Sequence, residues 1–147
     1  MTAINYSKER YWDEVEIGDR LPSISLMLDA TAMVLQVSGS QDWSLVHHDL
    51  EFANDSGIPN IFYNTGWTTA LLGRLLTDWM GPSGWVQTMN FQMRGMNAHG
   101  TRCTAHGTVT GKRTESNHAL VDVEIVLEND PGGVTTPGTA TIRLPRK

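Results

Sequence analysis

The chain has 147 residues, 39% hydrophobic and 18% charged, with a net charge of −5. That length and composition fit one folded domain, residues 1–147, with room for a hydrophobic core, and exclude a disordered tail. There is no basic stripe of the kind a nucleic-acid binder shows. No run reaches the eighteen or so apolar residues of a membrane span, and the polar segment Met1 to Arg20 lacks the apolar centre of a signal peptide. The expectation is a cytoplasmic protein with neither nucleic acid nor membrane as partner. Cys103 is the single cysteine, so an intrachain disulfide and a cysteine-based zinc cluster are both impossible.

In chain order, Tyr11 to Pro22 reads as a lead-in with a turn at Gly18-Asp19, followed by a short strand in which Ile24, Leu26 and Leu28 alternate with their neighbours. Thr31 to Ser38 is an apolar run suited to a short helix. Ser44 is a suitable N-cap for a second helix, with Leu45 as its first residue and Val46, Leu50 and Ala53 at helical spacing. Gly57 and Pro59 stop it. Asn64 or Thr65 caps a third and longest helix. Trp67, Leu71, Leu72, Leu75, Leu76 and Trp79 give this helix a broad apolar face, and Gly81-Pro82 ends it.

From Trp85 the period changes to two. Met89, Phe91 and Met93 alternate with polar neighbours, and so do Cys103 to Val109, Ala119 to Leu127 and Ala140 to Leu144. These read as half-buried antiparallel strands, joined by turns at Lys112 to Asn117 and Asn129-Asp130-Pro131-Gly132-Gly133. One long helix and about four following strands make an α+β domain whose sheet has a face for the helix to cover.

Asp42 and His47 are five residues apart. On a continuous helix they would point about 140° apart. They converge only if Asp42 lies in the loop and His47 in the first turn after Ser44. There a neutral imidazole beside a carboxylate can hold and deprotonate a water. An aspartate capping a helix next to a surface histidine would give the same spacing. Asn64-Thr65-Gly66, at a helix start, offers unpaired N–H groups suited to a developing oxyanion, or an ordinary cap. His47-His48-Asp49 is not expected to hold a metal, because adjacent helical residues point about 100° apart. Met89, Met93 and Met96 suit either core packing or the wall of an acyl tunnel.

Residues 38–53 resemble the signature of the MaoC-like (R)-specific enoyl-CoA hydratases. That pattern is Ser-Gly-Asp-x-Asn-Pro-(Ile/Leu)-His, then an acidic residue two positions on and a Phe-Ala pair. Gln41-Asp42-Trp43-Ser44-Leu45-Val46-His47, Asp49 and Phe52-Ala53 carry the match, and Tyr11-Trp12-Asp13 through Gly18-Asp19 is similar to the family's lead-in. Ser44-Leu45 stands where the family has Asn-Pro. Asn64-Thr65 stands where it has His-Gly, whose glycine N–H polarises the thioester. The resemblance implies a hot-dog fold, a long central helix wrapped by an antiparallel sheet that dimerises through the sheet. It implies Asp42 and His47 as catalytic residues, Ser44 as a structural cap, and Asn64, Thr65 and Gly66 at the oxyanion and substrate site. The substrate is a CoA thioester and no cofactor is required. Asn64 and the run Thr77 to Ser83 are most similar to the single-hot-dog subunits of bacterial steroid and bulky acyl-CoA degradation. The partner is then a second copy or a second MaoC-like subunit. A thioesterase of the same fold and an acyl-CoA-binding subunit of a heteromeric hydratase are the alternatives.

Overall fold

The structure, a computed structural model, describes residues 8–130 and 132–147. Five strands, β1 (Arg20–Met27), β2 (Trp85–Phe91), β3 (Arg102–Glu115), β4 (His118–Asn129) and β5 (Gly133–Arg143), form one sheet in the order β1-β3-β4-β5-β2. Every neighbouring pair is antiparallel. Three helices, α1 (Ala30–Ser40), α2 (Leu50–Asp55) and α3 (Thr65–Met80), lie between β1 and β2 in the chain.

The central helix α3 follows from its apolar spacing. Thr68, Leu71, Leu72, Leu75, Leu76 and Trp79 are buried, recurring at three and four residues so that they share one face. The leucines and Trp79 pack on Cys103, Ala105, Val109, Val121, Val123, Ile125, Ala140 and Ile142 from β3, β4 and β5. Fully burying each such leucine is worth about 1.5–3 kcal/mol, far more than helix propensity supplies. Asn64 starts the helix by accepting the Trp67 N–H at 2.8 Å, and Gly81, at φ 77°, ends it in a conformation other residues avoid. The strand alternation is as expected: Cys103, Ala105, Gly107 and Val109 are buried and their neighbours are not.

Edges and turns refine the expectation. β1 begins at Arg20, and its pairing with β3 is irregular between Leu21 and Ile24. Pro22, which has no N–H to donate, is tolerated there because β1 is an edge strand. The turn expected over Lys112 to Asn117 shrinks to Ser116 and Asn117, at φ 48° and 65°, the two-residue geometry that matches strand twist; Glu115 pairs with His118. In the turn expected over Asn129 to Gly133, Pro131 lies outside the described residues. β2 ends at Phe91, before Met93.

The helix expected to run on from Leu45 is split. Leu45–His47 is a single 3-10 turn, His48 leaves helical geometry at φ −150°, and α2 starts only at Leu50. The Ser44 side chain makes no capping bond. Ahead of the turn Asp42 Oδ1 accepts the Ser44 N–H at 3.3 Å, and Asp49 Oδ1 caps α2 by accepting the Phe52 N–H at 3.0 Å. Ser44 therefore holds the N-cap position of the 3-10 turn, as expected, but its hydroxyl makes no capping bond there, and the capping side chain of α2 is Asp49. Among the described residues, no helix is long and apolar enough to cross a membrane.

Candidate active site

α1 ends at Ser40, and Gln41 turns the chain in the left-handed region at φ 55°. That reversal drops Asp42 into a loop, and the 3-10 turn then brings His47 back toward it. The two meet at 3.3 Å between Asp42 Oδ2 and His47 Nε2. His47 is buried, while the Asp42 side chain is 43% exposed, so the pair is open to water from one side.

The orientation of the imidazole is fixed from behind. His47 Nδ1 lies 2.9 Å from the Phe62 carbonyl oxygen. A carbonyl only accepts, so Nδ1 carries the hydrogen and donates it. In the neutral ring Nε2 is then the acceptor, facing Asp42. The Phe62 ring meets the imidazole edge-on, with centroids 4.9 Å apart. His48 turns elsewhere, its ring in edge contact with Trp43. Among the described residues, no group of three or more His, Cys, Asp or Glu side chains is placed to hold a metal ion.

The start of α3 lies alongside. Asn64 is buried; its N–H donates to Gln36 Oε1 at 3.1 Å and its Nδ2 donates to Ser40 Oγ at 2.6 Å. The Trp67 N–H is taken by Asn64 Oδ1 and the Thr68 N–H by the Asn64 carbonyl. This leaves the N–H groups of Thr65 and Gly66 without an acceptor among the described residues, two of the unpaired donors of a helix start. Gly66 sits close to α1: a Cβ there would stand 3.2 Å from Ser40 Cβ. The Thr65 hydroxyl points away to Met93 Sδ at 3.4 Å.

Gln36 and Ser40 were not foreseen, and they tie the site together. The Ser40 hydroxyl donates to the Gln36 carbonyl at 2.6 Å and accepts from Asn64. Gln36 Nε2 reaches the His47 carbonyl at 3.5 Å. A signal existed for Gln36: it shares a buried face with Met33 and Val37, the spacing of an apolar stripe, so an amide there requires partners.

Between α1, α3 and the end of β1 runs a cleft of about 580 Å³, walled by Leu26, Ala32, Leu35, Gln36, Tyr63 and Trp67 among others. It reaches Ser40 and Gly66, next to the Asp42–His47 pair, though neither member of the pair lines it. None of Met89, Met93 and Met96 lines it either. Met89 packs against the core, whereas Met93 and Met96 are exposed.

No family model matches the chain. Over 130 residues it is 33% identical to the 3-oxo-4,17-pregnadiene-20-carboxyl-CoA hydratase beta subunit of Mycobacterium tuberculosis, covering 87% of this chain and 94% of that protein. Among solved structures, a chain of the ChsH1–ChsH2 complex from Mycobacterium tuberculosis superposes with a TM-score of 0.80 at 28% identity, covering 88% of this chain and 98% of that one. The (R)-hydratase from A. caviae involved in PHA biosynthesis gives a TM-score of 0.79 at 18% identity, over 90% and 98% of the two chains. A MaoC-like dehydratase from Rhodospirillum rubrum gives 0.79 at 21%, over 94% and 98%. The last two likenesses concern the fold, which is the hot-dog fold. The chain belongs to the MaoC-like (R)-specific enoyl-CoA hydratase and dehydratase family.

Proposed function

We propose that the protein catalyses (R)-specific addition of water to a 2-enoyl-CoA, and the reverse dehydration, with Asp42 and His47 acting on the water. The observation that carries this reading is the pair itself: Nε2 and Oδ2 3.3 Å apart with Nδ1 committed to Phe62. When the ring is neutral and the carboxylate ionised, the two present acceptors side by side. A water donating one hydrogen to each is held with its oxygen lone pairs directed outward. As that oxygen bonds to C3, one water proton passes to the pair and the C2–C3 electrons shift onto the thioester as an enolate. The Thr65 N–H, with Gly66 beside it, stabilises the oxygen of that enolate. The pair returns a proton to C2, so one water has been added and the protein is unchanged. Acid–base help of this kind supplies about 10²–10⁴-fold and an oxyanion donor about 10²–10³-fold.

A second chain is part of the proposal, either another copy or a second MaoC-like subunit. The cleft is open along Leu35, Gly39 and Ala70, and Val34 and Leu35 on α1 are 63% and 60% exposed. Apolar surface of this kind next to a site calls for a cover. The Mycobacterium tuberculosis relative is itself named a beta subunit, and the similar structure is a two-protein complex. An acyl-CoA-binding subunit without turnover would have no need of the Asp42–His47 geometry.

The test is to follow an enoyl-CoA by its conjugated absorbance and by free thiol together. Hydration removes the absorbance and releases no thiol. Thiol appearing at a matching rate would mean a thioesterase.

A further inference from the structure

We infer that the phosphate groups of the CoA are held by Arg143 of a second copy of this chain, paired edge to edge through β2. Each site is then completed by its partner. The inference rests on the enoyl-CoA reading and states where the charge of the coenzyme is met.

The site has no cation of its own. Every residue of the cleft and of the proposed chemistry falls within residues 21–73, a stretch without a Lys or Arg. It carries Asp29, Asp42, Asp49, Glu51 and Asp55 instead. Such a surface repels a ligand with several phosphates unless cations are brought to it. Arg74, just past the stretch, is paired with Asp78 at 3.2 Å. Arg94 is engaged as well: its Nε and Nη2 both donate to Gln92 Oε1, at 3.2 and 2.8 Å. Arg102 lies on the face of β3 opposite the buried Cys103 and Ala105, away from α3.

Cations gather at the other end of the sheet. There Ser83, Asn117, His118, Arg143 and Arg146 line a polar pocket of about 310 Å³. Arg113, Arg146 and Lys147 have carboxylates beside them. Arg143 is exposed and has none among the described residues.

Edge pairing carries that end to the partner's site. β2 is an edge of the sheet, and Trp85–Phe91 includes no proline and no charged side chain, the features that ordinarily blunt an edge. The opposite edge, β1, contains Pro22. Two copies related by a two-fold axis pair β2 antiparallel, so the Trp85 end of one strand meets the Phe91 end of the other. Just beyond Phe91, Met93 Sδ accepts the Thr65 hydroxyl at 3.4 Å, beside the proposed oxyanion donors. Trp85 is in register with Arg143. The partner's Arg143 is thereby brought alongside the site. Within one chain the length of α3, about 24 Å, separates Thr65 from Ser83.

The test mixes two variants. Arg143→Gln should raise KM for an accepted enoyl-CoA about tenfold, with kcat near the wild-type value. Arg143→Lys should keep most of the affinity. Asp42→Asn should be inactive yet still supply Arg143. After subunit exchange between Asp42→Asn and Arg143→Gln, confirmed by native mass spectrometry, a component with the wild-type KM should return. An unchanged KM in Arg143→Gln, a high KM that persists after exchange, or a matching rise in Arg94→Gln would each overturn the inference. So would a chain that is monomeric at micromolar concentration. If no enoyl-CoA is hydrated, the hydratase reading fails separately. Calorimetric Kd values of CoA and of pantetheine then decide on Arg143: a dimer whose preference for CoA is lost in Arg143→Gln supports the inference, and equal affinities overturn it.

Discussion

His47 Nδ1 lies 2.9 Å from the Phe62 carbonyl oxygen, and through that contact a backbone group selects which nitrogen of the ring meets Asp42. The neutral imidazole is therefore the Nδ1–H tautomer, with Nε2 free to accept. Nitrogen-15 NMR of the labelled protein, at a pH where His47 is neutral, should show a protonated Nδ1 and an unprotonated Nε2. An Nε2–H tautomer would contradict the geometry on which the water-binding step depends.

Gln36 is buried and bridges the start of α3 to the 3-10 turn, its Oε1 accepting the Asn64 N–H at 3.1 Å. Gln36→Leu keeps the size but strands that N–H, and a buried donor left unpaired costs about 1–3 kcal/mol. Urea unfolding should show a loss in that range. A loss under about 0.5 kcal/mol would mean that Asn64 finds water or another acceptor.

Much of the fold could be read from spacing. The apolar stripe of α3 and the alternation through β3, β4 and β5 give one long helix on an antiparallel sheet, because burial patterns of period 3.6 and 2 are written directly in the sequence. The convergence of Asp42 and His47 was legible only as a condition, that the first lie in a loop and the second just after a turn. What the sequence hid was where the second helix begins: Ser44 stands ahead of a single 3-10 turn without a side-chain bond, and Asp49, five residues on, is the side chain that caps α2. The polar bridge of Gln36, Ser40 and Asn64 joins segments far apart in the chain, so spacing within any one segment cannot show it.

At the start of α3 the backbone and side chain of Thr65 can be separated. Asn64 has φ −81° and ψ 172°, a conformation that a following proline accepts. Thr65 is the first helical residue, where proline is tolerated and its missing N–H breaks no helix bond. Thr65→Ala should retain most activity, and Thr65→Pro should fold yet lose about 10²-fold or more, mainly in kcat. Equal losses in both would assign the effect to the side chain instead. Two fully active variants would leave Gly66 or another donor to hold the thioester.

β2 is a sheet edge with Trp85 63% exposed, and α1 carries Val34 and Leu35 outward. Unpaired edges and open apolar faces favour association. Light scattering of the chain alone at micromolar concentration should give at least twice its 16.3 kDa. A stable monomer would contradict self-association and leave a different subunit as the required cover.

Steady-state hydration by Asp42→Asn and His47→Gln tests the proposed chemistry most directly. Both changes keep approximate shape while altering the proton chemistry of the pair. With an accepted enoyl-CoA, each variant should fold and assemble as the wild type does while kcat falls at least about 10²-fold, the low end of what acid–base catalysis contributes. Near-normal turnover by either variant would contradict the assignment of this pair to the water.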